Sequence, residues 1–113
     1  MTASEYTFGD IVLLAFPFTD SKQKKKRPAL VLLDANDNDV VLCRITSQTP
    51  ETKYDFKIDG WKNYGLLLPS CIRLHKVATL EKQLIERKLG KLNEQTKAEL
   101  KNVIANLLHD FLK

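Results

Sequence analysis

The sequence predicts a mainly β domain with helical cover, a compact curled β-barrel carrying one C-terminal amphipathic helix. Three observations lead there. Apolar runs of strand length alternate with Gly, Pro, Asn and Asp clusters along most of the chain. Helical periodicity is confined to the end, and 113 residues with 43% hydrophobic composition suffice for one core but not two. The whole chain, 1–113, therefore reads as a single domain.

Each element has its own signal. Gly9 turns the chain into a continuous apolar run, Asp10 to Phe16, which reads as the first strand. A polar loop opened by Pro17 ends in Lys22, Lys24, Lys25 and Lys26, and Arg27 to Leu33 forms the second strand, so the two make a hairpin with a basic tip. Pro28 constrains the residue before it, because its ring disfavours helical backbone there; Arg27 is thereby held extended at the strand's mouth. Ala35 to Asp39, "ANDND", is the strongest turn signal and leads into a third strand, Val40 to Thr46. After a loop over Ser47 to Lys53, "YDFKI" (Tyr54 to Ile58) alternates as a half-buried strand does.

Gly60 to Gly65 is a second loop, whose Trp61 and Tyr64 are either core lids or exposed stacking platforms; the weight of large aromatics in small cores favours lids. Leu66 to Leu80 carries one or two further strands. Its alternation breaks at Lys76, as expected of a barrel-edge position open to solvent. Leu80 to Leu92 reads as a short helical turn, then a strand near Ile85 to Leu89 ended by Gly90. Asn93 is a good N-cap with Glu94 in the first turn, and Leu100, Val103, Ile104, Leu107, Leu108, Phe111 and Leu112 then recur on one helical stripe. That stripe docks on the domain's own sheet or, in so small a domain, forms a dimer surface.

The net charge of +4, with a pI near 9.1, makes a polyanion a plausible partner without proving one, and the clustering of Lys22, Lys24, Lys25, Lys26 and Arg27 matters more than the total. Cys43 and Cys71 sit in apolar runs without metal-site spacing and read as free buried thiols. No hydrophobic run is long enough to span a bilayer, and the N-terminus lacks the regions of a signal peptide, so a cytoplasmic location is expected. A Gly-rich phosphate loop, a nucleophile elbow, a His pair at metal spacing and an acidic dyad are all missing. Chemistry that uses few residues and no metal or cofactor is what remains.

"GDIVLLAFPFTD", "RPALVLL", "CRITSQ" and the long segment from Gly65 to Leu92 occur in this order and spacing, and the ordered set resembles the MazF/PemK family of toxin endoribonucleases from bacterial toxin–antitoxin systems. Each motif alone is weak; together they cover nearly the whole chain. The resemblance implies an SH3-like barrel that forms a homodimer, cuts single-stranded RNA at short sequences without metal, and is neutralised by an antitoxin protein.

RNA cleavage without metal can use the substrate's own 2′-hydroxyl as nucleophile, and the protein must then supply a fixed cation at the phosphate. Arg27 suits that role, since its planar fork holds two phosphate oxygens and its charge does not titrate away. The resemblance adds proton donation to the leaving oxygen as a second role for Arg27, and picks out Thr46 as its catalytic partner. By residue type alone Thr46 is an ordinary β-branched strand residue and Ser47 a turn residue. RNA-binding roles fall to Lys24, Lys25, Lys26, Arg44, Ser47, Gln48, His75 and Lys76. The lysines steer without reading; His75 and Lys76 occupy a position where the family pattern has acidic or amide groups, and the lysine run stands where that pattern has a Gly-rich loop with an acidic residue. Arg44 has the plain alternative of a surface ion pair with Asp37 or Asp39, and His75 that of a packed or surface histidine. The competing function is a non-catalytic module on the same barrel, such as an RNA binder or a gyrase-inhibiting toxin. A third reading is a structural or partner module whose lysine run is only a solvated tip.

Overall fold

The strands that begin at Asp10, Lys26 and Asp39 are apolar on both sides, and the architecture explains why. The computed structural model describes residues 5–15 and 26–113; Phe16, Pro17 and the lysines Lys22, Lys24 and Lys25 lie outside the described residues. The elements are β1 (Asp10–Ala15), β2 (Lys26–Leu33), β3 (Asp39–Thr46), β4 (Asp55–Lys57), β5 (Cys71–Glu81), β6 (Ile85–Lys91) and α1 (Glu94–Phe111). They form one antiparallel sheet in the order β4-β5-β3-β2-β1-β6. No helix among the described residues is long and apolar enough to cross a membrane.

Successive strand residues point to opposite faces, so a sheet buried on both sides requires an unbroken apolar run. One face carries Ile11, Leu30, Cys43, Ile45, Ile72 and Leu74 and is capped by Leu100 of α1; the other gathers Val12, Leu14, Ala29, Val31, Val40 and Leu42. Curling of the sheet covers this second face with Tyr6, Leu80 and Ile85. Both cysteines are free and buried, and burial pushes both thiols up, so neither is a ready nucleophile.

The Asn93 side chain caps α1 by accepting from the Thr96 N–H at 2.8 Å. The predicted stripe then divides. Leu100 is buried and Val103, Ile104 and Leu107 pack on the core, whereas Leu108, Phe111 and Leu112 are exposed. Near that end Asp110 accepts from the Tyr54 hydroxyl and pairs with Lys53 at 2.8 Å, tying the helix to the segment before β4.

Leu66 to Leu80 contains one strand rather than two. β4 ends opposite Cys71–Arg73, leaving the rest of β5 open on that side, and the β3 register jumps from Arg44↔Arg73 to Cys43↔Val77. Lys76 stands exposed in the resulting bulge, which breaks the alternation there. Gly90 does not end β6, as its sequence signal suggested; the strand runs through it to Lys91.

Gly90 has a packing role instead. Tyr64 belongs to a 3-10 turn (Trp61–Tyr64) that lies against β6, and a Cβ at Gly90 would sit 3.0 Å from the Tyr64 Cα. Gly65, with φ of 75°, would bring a Cβ to 2.9 Å from the Leu89 carbonyl oxygen. The sheet does not close by hydrogen bonds between β4 and β6; this turn, with Tyr64 buried as a lid, brings the β4–β5 connection onto β6.

Two predictions follow from this packing. Gly90→Ala is expected to lower stability by about 1–3 kcal/mol, read from urea unfolding, because the turn must move off β6. The Asp34 carboxyl has a fully buried side chain, and burial alone would raise it; the Lys82 ammonium at 2.8 Å and the N–H groups of Tyr6 and Asn36 bring it down from 3.8 to about 2. A carboxyl depressed in the folded state stabilises above its unfolded value and loses that contribution as pH falls toward the folded one. Acid titration of the unfolding free energy should therefore show a decline between about pH 4 and 2 that is reduced in Asp34→Asn.

Candidate active site

Strand ends, not loops alone, assemble the cleft that holds Arg27 and Thr46. Its volume is about 320 Å³, and it lies where the start of β2, the end of β3, the middle of β6 and the segment following Gly65 converge. Arg27 enters from β2, its backbone paired with Leu14 and stiffened by Pro28, so the extended conformation expected before a proline is the one observed. Arg44 and Thr46 enter from β3 on alternate positions of the same strand, with Ser47 directly after.

The Thr46 hydroxyl is positioned by its own loop. Its Oγ1 accepts from the Gln48 N–H at 3.2 Å, leaving the hydroxyl proton available to donate outward. On the opposite wall the Ser70 hydroxyl donates to the Leu68 carbonyl at 2.7 Å and fixes the segment between them. Leu13, Pro28, Ile45, Leu66 and Leu89 supply aliphatic lining, while Leu67 and Leu68 stand exposed on the rim.

The charge in the cleft is of one sign. Lys26, Arg27, Arg44 and Arg87 line it, and no acidic residue does among the described residues. Lys26 is engaged, forming an ion pair with Glu86. A concave site lined by cations over apolar walls concentrates positive potential and attracts anions.

Gln48, His75 and Lys76 do not line the cleft. Gln48 is exposed beside Ser47, and its carbonyl accepts from the Cys71 thiol at 3.7 Å. His75 belongs to a separate cluster: its Nδ1 is 4.0 Å from Asp55 Oδ1, and its ring centre lies 5.9 Å from that of Tyr54. Lys76 is exposed in the β5 bulge. Lys24 and Lys25 fall outside the described residues. Asp37 and Asp39, weighed as partners for Arg44, sit at the far end of β3 from it.

Asp55 holds the loop that follows the site. Its Oδ2 accepts from the N–H groups of Glu51 and Thr52 at 2.8 and 2.9 Å, and its Oδ1 lies 3.3 Å from the Arg73 Nε. Arg73 also reaches Glu51 at 3.4 Å. Burial opposes the charge on Asp55, but the two N–H donors and Arg73 outweigh it and hold the carboxyl below the ordinary range. Among the described residues no group of His, Cys, Asp and Glu side chains is arranged to hold a metal ion.

Arg87, Ser70 and the Leu66–Leu68 segment are cleft residues that the motifs did not single out. Arg87 sits in "IERKLGK", which reads as charged edge strand, and nothing in that pattern tells which of its charges turns inward.

The chain belongs to the family of PemK-like, MazF-like toxins of type II toxin–antitoxin systems, whose family model matches residues 7–108. Similar solved structures include the Mycobacterium tuberculosis toxin MazF-mt6, at 20% identity and TM-score 0.71 over 88% of this chain and 96% of that one. MazF from Deinococcus radiodurans is 21% identical, with TM-score 0.71 over 92% and 96%. An endoribonuclease in complex with its cognate antitoxin, from a mycobacterial species, is 16% identical, with TM-score 0.72 over 92% and 95%. At these identities the likeness is one of fold. No curated protein matches the chain.

The Asp55 cluster generates its own test. Asp55→Asn keeps an acceptor for the loop but removes the charge facing Arg73, and is expected to cost about 1–3 kcal/mol. Amide exchange at Glu51 and Thr52 should accelerate relative to the strands.

Proposed function

We propose that the protein is an endoribonuclease toxin that cuts single-stranded RNA at short sequences without a metal and is neutralised by an antitoxin protein. The observation that carries this reading is that Arg27 and Thr46, the two residues the resemblance pairs, line the same cleft. Membership of a type II toxin family supports the toxin and antitoxin parts, and a similar fold has been solved with its cognate antitoxin.

In this reading the RNA 2′-hydroxyl attacks the adjacent phosphorus, the bond to the 5′-oxygen breaks, and a 2′,3′-cyclic phosphate and a 5′-hydroxyl result. Arg27 holds the non-bridging oxygens, where negative charge accumulates in the transition state. The Thr46 hydroxyl, whose oxygen accepts from the Gln48 N–H, donates its proton to the same phosphate. Ser47 and Arg44 bind flanking parts of the strand, and the lysines before β2 draw RNA in. A homodimer acting in the cytoplasm belongs to the same proposal; the exposed apolar end of α1 supports the first and the free thiols the second.

The test is digestion of a long single-stranded RNA in EDTA with mapping of the new ends. Cuts at a recurring short sequence bearing 5′-hydroxyl ends are expected, slowed about 100-fold or more in Arg27→Ala and at least about tenfold in Thr46→Val. A folded wild-type protein that binds RNA in a salt-dependent way yet never cuts it would instead establish the non-catalytic binder.

A further inference from the structure

We propose that Arg87 is a second phosphate-holding group of the cleft, aimed there by a β-bulge and set to grip the phosphate next to the one held by Arg27. The inference rests on the proposed RNA reading and extends it by one residue and one subsite.

The geometry begins with β1, which is flanked by β2 and β6. Leu14 pairs with Arg27 on one side, and Leu13 pairs with Arg87 on the other. The two arginines therefore start two strands apart, about 10 Å at ordinary strand spacing, at neighbouring levels of the sheet. Both line the same cleft. The cleft volume of about 320 Å³ lies at the small end of ligand sites, enough for one nucleotide rather than a stretch of them. Phosphates on either side of a nucleotide seated there would meet cations from opposite walls.

The bulge decides which β6 residue turns inward. Between Leu13 and Leu14 the register jumps from Arg87 to Ile85, leaving Glu86 without an opposite residue on β1. Such an extra residue bends a strand and re-aims its neighbours. Glu86 turns to Lys26, which it meets in an ion pair across the end of β1. Arg87 turns into the cleft and makes no hydrogen bond or ion pair among the described residues. One residue of the pair neutralises Lys26, and the next supplies a cation in its place. Arg87 is thus a binding residue for the flanking phosphate, while the scissile phosphate is left to Arg27.

The experiment measures binding of a single-stranded oligonucleotide with 2′-deoxyribose at every position, which cannot be cut, across a salt series, alongside cleavage of the matching RNA. Arg87→Ala is expected to weaken binding about tenfold. It should also reduce the slope of log affinity against log salt by about 0.7, the value of one lost phosphate contact on a single strand. Arg87→Lys should recover part of the affinity, Glu86→Gln should tighten binding, and Arg87→Ala should raise KM by a larger factor than it lowers kcat. Thermal melts confirm that the variants fold. Unchanged affinity and slope in folded Arg87→Ala overturns the inference, even where wild type cuts RNA and the functional reading stands. Binding that depends on Arg87 without any cleavage supports the inference and removes only the catalytic reading. A wild-type protein that neither binds nor cuts overturns both.

Discussion

The contact between the Trp61–Tyr64 turn and β6 governs the shape of this molecule. A six-stranded sheet with free edges at β4 and β6 has to be held in its curl by something other than a ladder, and here that is a backbone-to-backbone approach that only glycines at 65 and 90 permit. The cleft depends on it directly. Its Gly65–Leu68 wall and its Leu89 wall are the two parties to that contact, and the strand ends bearing Arg27 and Thr46 open between them. Packing at one place thus sets both the closure of the fold and the width of the site.

Burial of carboxylates follows a related logic. Asp10 accepts from the Thr7 N–H at 2.9 Å, Asp34 from those of Tyr6 and Asn36, and Asp55 from those of Glu51 and Thr52. Each is also near a cation: Lys88, Lys82 and Arg73 respectively. Negative charge is spent on holding chain segments in place, away from the cleft, and the cleft lining keeps its single sign. An acid turned inward there would pair with the cations of the cleft and lower the local positive potential.

Much of the fold was legible because local chemistry and tertiary packing agree. The "ANDND" turn, the N-cap at Asn93 and the two-sided apolar strands all act through their own neighbours, so a linear reading finds them. Gly90 was misread as a strand end because glycine gives the same signal for a stop and for a close approach, and only the position of Tyr64 distinguishes them. Arg27 was legible through Pro28, which fixes its backbone whatever surrounds it. Arg87 was not, since its direction depends on a bulge in the pairing of β6 with β1, and a register shift leaves no mark in a run such as "IERKLGK". His75 shows the converse: a residue type suited to chemistry is explained by Asp55 and Tyr54 beside it, partners that come from a different strand and its approach.

The way these carboxylates grip their segments bears on how the family diverges. Asp10, Asp34 and Asp55 each hold at least one N–H only a few residues away in sequence, so each connection is secured locally before the sheet constrains it. A connection fastened at its own base can change length or composition beyond the fastening while the ladder stays intact. Such fastening leaves the scaffold tolerant of change in its connections, and chains that share less than a quarter of their residues with this one keep the same scaffold.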